Sequence, residues 1–185
     1  MGRIKLPVYL EGSLCLLLAL MLLLLPLKWV LAVILAATVH ELCHIAAIIA
    51  LGGRIYSLHL GFGGIRMETD PLPPGREAAA ALAGPLGSAA LLLLARWLPR
   101  TAVCGGVHCV YNLLPLFPLD GGRALHSIMR LCLPAKYGEK CFLYFQHFFR
   151  IALSGVVLLA GLRWGILPAV AGMLLLWRQR KARTV

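Results

Sequence analysis

Apolar residues fill the chain in long blocks, separated by short polar or basic segments. Six blocks at about 8–26, 29–52, 77–98, 101–119, 141–161 and 164–178 are candidate membrane spans, the last of them short. Segment 53–76 differs in kind. Its stretch RIYSLHLGFGGIRMETD alternates, holds β-formers and carries Gly61, Gly63 and Gly64, which predicts a short strand pair around a glycine turn or kink. PLPPGRE then breaks structure before the third block. The expected fold class is an all-α polytopic membrane protein of about six transmembrane helices, with a small membrane-associated β-segment between helices 2 and 3. Strand edges beside lipid have unpaired backbone groups, so this segment must be buried in protein, line a wet cavity or accept a partner strand.

Composition agrees. The chain has 185 residues, enough for one domain, and is 61% hydrophobic and only 14% charged, with a mean hydropathy of +0.86. Soluble domains carry about 25% charged residues. The formal charge of +11 would suggest nucleic acid in a soluble protein. Here the cations sit mostly at block ends, with no basic patch interleaved with aromatics, so they speak for membrane orientation instead. The N-terminus, segments 53–76 and 120–140 and the C-terminal tail carry most of them; Lys28, Arg96, Arg100 and Arg163 fall on the other side. The positive-inside rule then places both termini in the cytosol. The first block has no small-x-small cleavage site after it and reads as a retained span. Cys15, Cys43, Cys104, Cys109, Cys132 and Cys141 form no CxxC pair and read as packing residues. The expected organisation is a single integral-membrane domain over 1–185, without internal repeats or an appended soluble domain.

The second block contains TVHELCHIA, residues 38–46. Ionisable residues inside a span are expensive and usually functional. His40 and His44 are four apart, about 6 Å of rise and about 40° of rotation on a helix, so both imidazoles leave one face and can bind one tetrahedral zinc. Glu41 is offset by about 100°, suited to a metal-bound water rather than to the ion itself. This is the HExxH pattern of two ligands and a general base. Cys43 projects away from the histidines and reads as packing.

A catalytic zinc needs a third protein ligand and an open position. The fourth block ends YNLLPLFPLDGGRAL, where Pro115 and Pro118 break the helix and Asp120 follows. Asp120 either reaches inward as that ligand or caps the next helix from a DGG turn; beside an HExxH motif the ligand reading is favoured. Asn112 either bonds a neighbouring helix or donates to a substrate backbone. Gly84 and Pro85, in LAGPLG, read as a close helix contact. His59, His108, His126 and His147 lack a partner at ligand spacing and read as packing or surface histidines.

Together, HELCH inside a span, a glycine-bearing β-segment, AGP on the next span and NLLPLFPLDGG on the one after resemble the site-2 protease family of intramembrane zinc metalloproteases. The likeness covers about 29–123, the expected catalytic core. The six-span layout most resembles the stage IV sporulation protein FB branch, which processes a membrane-associated sigma-factor precursor. The resemblance implies one Zn²⁺ per chain on His40, His44 and Asp120, with Glu41 as base, and with Asn112, Gly63 and Gly64 helping to position substrate. It implies a membrane-tethered protein substrate in a lipid environment; the placement of the cations speaks against nucleic acid, and the charge-derived topology with the proline-broken fourth block opens the site to the cytosol. No CBS domain, common in that branch, and no PDZ domain is expected here. A zinc-binding membrane protein or transporter is the rival from another class, although it would want several metal sites along a path. A catalytically silent relative holding membrane partners is a second rival, disfavoured by the complete His, Glu, His and Asp set.

Overall fold

A computed structural model describes residues 7–61 and 64–164. The chain forms two compact units, one ending at Asn112 and the other beginning at Leu113.

The first unit opens with a strand. β1 (Val8–Leu10) lies parallel to β2 (Ile55–Gly61), which pairs antiparallel with β3 (Gly64–Thr69) in the order β1-β2-β3. The expected strand pair is therefore a three-stranded sheet. Tyr9, His59 and Arg66 stand in register on one face; Val8, Leu58 and Met67 stand on the other. Tyr9 stacks on His59, with ring centroids 4.7 Å apart. Glu11, just past β1, accepts from Arg66 at 2.6 Å and from Ser13 at 3.2 Å. The Arg66 guanidinium holds the Glu11 carboxyl below its ordinary range, helped by the Ser13 hydroxyl.

This diverts the start of the first expected span. α1 (Gly12–Leu24) has 13 residues, about 20 Å of helix against a hydrocarbon core of about 30 Å. α2 (Leu27–Ala50) has 24 residues, about 36 Å, and matches the second expected span. It starts after Pro26 and stops at LGG: Gly52 takes a positive φ of 83°, its N–H reaches the Ile49 carbonyl, and the Gly53 N–H reaches Ile48. That is a Schellman motif, which glycine permits without strain. α3 (Pro74–Ala90) begins with Pro74 and runs through Pro85 into a 3₁₀ turn over Leu91–Leu94. α4 (Pro99–Asn112) has 14 residues and ends before Pro115 and Pro118, which fall within the fourth expected span.

Among the described residues, three helices are long and apolar enough to cross a bilayer: Leu27–Ala50, Pro74–Leu94 and Lys136–Leu159. The fourth expected span is too short for this, and residues 165–178 of the sixth lie outside the described residues. α2 and α3 run antiparallel and meet through small residues; Ala32 and Ala36 of α2 and Ala78, Ala80, Ala81 and Ser88 of α3 are all buried. Small side chains let two helices approach closely enough for side chains to bond across the seam.

In the second unit, the basic segment 120–140 between the fourth and fifth expected spans is mostly helix. α5 (Asp120–Cys132) is followed by α6 (Ala135–Trp164). Buried Gln146 of α6 pins the proline segment: it accepts from the Phe117 N–H at 3.0 Å and donates to the Pro115 carbonyl at 2.8 Å. Leu116 and Leu119 are buried below. The Phe117–Pro118 bond is cis. Gly121 and Gly122 follow because a Cβ at either would collide with the backbone of Leu113–Phe117.

Candidate metal centre

His40 and His44 share the buried face of α2 with Ala32, Ala36 and Ile48 and are 3% and 6% exposed. α3 takes one nitrogen of each ring. His44 Nδ1 lies 2.8 Å from the Ala80 carbonyl. A carbonyl only accepts, so that nitrogen carries the proton and Nε2 keeps its lone pair. His40 Nδ1 lies 2.9 Å from the hydroxyl of Ser88, itself fully buried. The two Nε2 atoms then face each other at 3.1 Å. Two nitrogens at about 2.0–2.1 Å on a tetrahedral zinc are separated by about 3.3–3.4 Å, so the pair fits the ion. Outer hydrogen bonds that fix ring orientation and tautomer are the usual support of such ligands.

Gly84, read from sequence as a packing residue, has a more definite task. A Cβ there would run into the His44 imidazole, and one at Gly87 into Cys43. The small residues of AGPLG thus make room for the histidine ring inside the helix seam.

Glu41 points to the sheet. Its Oε1 accepts the Ile65 N–H at 3.2 Å. Gly64, with φ of 99°, presses its backbone so close that an added Cβ would lie 3.2 Å from the same oxygen. Gly63 lies outside the described residues. The β ladder explains why Ile65 is available. Leu58 donates its N–H to Pro7, and Leu60 accepts from Glu11, so both turn their backbone groups toward β1. Their partners Met67 and Ile65 must turn theirs away from β2, onto the outer edge of β3. No strand pairs with that edge among the described residues. Glu41 takes the first of its N–H groups.

His108, expected as a packing or surface histidine, lies beside the pair. Its ring packs edge-on against His40, with centroids 4.5 Å apart. Asn112, one turn later on α4, donates its side-chain N–H to the His108 carbonyl at 3.1 Å. Thr38, beside the motif, bonds back to Ile34 in its own helix.

Asp120 lies in the second unit, as the first residue of α5. The N-cap is Leu119, in extended conformation and without a side-chain cap bond, so the cap reading of Asp120 does not describe this turn. Its carboxylate is buried, in the first helical turn where the helix dipole favours negative charge, and stands 3.9 Å from Arg123.

No protein-family model matches the chain, and no curated protein sequence matches it. The fold is similar to that of the Site-2 Protease from Methanocaldococcus jannaschii, with a TM-score of 0.69 over 98% of this chain and 93% of that chain. Sequence identity is 20%, and at that level the likeness establishes a shared fold.

Proposed function

We propose that the protein is an intramembrane zinc metalloprotease, hydrolysing peptide bonds in or near the transmembrane segments of membrane-tethered proteins. The observation that carries this reading is the His40–His44 pair: two buried Nε2 atoms 3.1 Å apart, both rings held through Nδ1, on a helix long enough to span a bilayer. His40, His44 and Asp120 would hold the ion. Zinc, when bound, supplies a water of lowered pKa, about 7, and polarises the peptide carbonyl.

Glu41 then takes the proton of the attacking water and passes it to the leaving amine. Asn112 spends one amide hydrogen on His108; the other is free to steady a substrate carbonyl. A helical substrate hides its carbonyls and must unwind to be cut. Beyond the Ile65 N–H that Glu41 holds, the outer edge of β3 offers the Ile65 carbonyl and the Met67 backbone groups to an extended chain and leads to Glu41, so strand addition there delivers the peptide to the base. Gly64, and Gly63 with it, would keep that approach open. Within this substrate class, a membrane-associated sigma-factor precursor is the finer assignment, and the site opens to the cytosol.

The test is Glu41→Gln, compared with wild type by membrane proteomics and by zinc content. Single-span proteins should accumulate uncut while bound zinc stays unchanged. Undiminished cleavage at normal zinc content would exclude Glu41 as the base.

A further inference from the structure

A second site lies far from the histidines. A cavity of about 290 Å³ opens where the start of α2 meets the α3–α4 junction. Lys28, Leu31, Leu35, Trp97, Arg100 and Thr101 line it. Lys28 is twelve residues before His40, about 18 Å along the helix.

The charges are in an unusual place. Lys28 is the second residue of α2 and Arg100 the second of α4. A helix N-terminus is the positive pole of its dipole and disfavours cations. Neither first turn holds an acid, and no acidic residue lines the cavity among the described residues. Two positive helix ends and two exposed cations therefore line one space, an arrangement that an anion stabilises. The apolar part selects among anions. Leu31 and Leu35 continue along a membrane-length helix, and Trp97, 70% exposed, stands at the rim beside the cations, as tryptophan does at a bilayer interface. We infer that the cavity binds an anionic phospholipid, its phosphate between Lys28 and Arg100 and its acyl chain along Leu31 and Leu35. This site stands independently of the protease reading.

Trp97 is its reporter. The full chain carrying Trp29→Phe, Trp164→Phe and Trp177→Phe is reconstituted in phosphatidylcholine vesicles containing acyl-brominated phosphatidylglycerol or acyl-brominated phosphatidylcholine. Brominated phosphatidylglycerol should quench Trp97 with a preference of up to about thirtyfold, given about 1 kcal/mol for each of two cations near the headgroup. Lys28→Gln with Arg100→Gln should abolish the preference, and Arg130→Gln on α5 should leave it intact. Equal quenching by both lipids, or a preference that survives the double substitution, overturns the inference. So does displacement of the brominated lipid by inorganic phosphate, which would mark a site for soluble anions. If the double variant does not reconstitute, the single variants decide: each must weaken the preference, and no change in either refutes it.

Discussion

At the residue scale, the histidine pair depends on groups that bind no metal. Ser88 is fully buried and bonds His40 Nδ1; the Ala80 carbonyl does the same for His44. Removing such a partner lowers metal affinity by about 10–100-fold in comparable sites. Ser88→Ala should therefore weaken zinc binding within about that range while leaving helix content unchanged, as competition with a zinc chelator would measure. Unaltered zinc affinity would show that the helix alone orients His40. HExxH was legible in the sequence because its spacing is a property of one helix. Ser88 and His108 were not, because what brings each of them to His40 is packing between helices that lie far apart in sequence. Gly84 was legible only as a small residue; what it makes room for required the fold.

At the element scale, the long apolar helices α2 and α3 were readable from block length, and the β2–β3 hairpin from alternation and glycines. β1 was hidden because VYL is three residues long and merges into the apolar run of α1. α5 was hidden because DGG and its cations look like a loop, although the glycines serve close backbone packing. The hairpin carries a sharper expectation. The Met67 N–H points to the outer edge of β3 and takes no part in the ladder with β2, whereas that of Arg66 does. Proline is tolerated on an edge strand where the lost N–H faces outward. Met67→Pro should keep the fold and zinc but reduce cleavage of a membrane substrate by about fivefold in kcat/KM, the equivalent of about 1 kcal/mol for one backbone hydrogen bond. Arg66→Pro should instead damage the sheet itself. If Met67→Pro cleaves normally, the substrate does not add to this edge.

At the scale of the whole molecule, the proposed ligands come from both compact units: His40 and His44 from the first, Asp120 from the second. A ligand that binds only the native state adds stability in proportion to the logarithm of its concentration over Kd. Zinc held by all three residues would thus stabilise the two units together, and its removal should be felt across the chain. Chelation should lower the thermal unfolding midpoint of the wild-type protein in detergent. Asp120→Asn should already show most of that loss together with reduced bound zinc, and should respond little to chelator. A neutral amide keeps the size and α5 position of the side chain but is a poor zinc ligand, so helix disruption is not the expected cause. Should Asp120→Asn keep full zinc content and a wild-type response to chelator, the third ligand lies elsewhere, and the buried carboxylate serves α5 through its dipole and Arg123. His108, already packed against His40, would then be the first residue to test in its place.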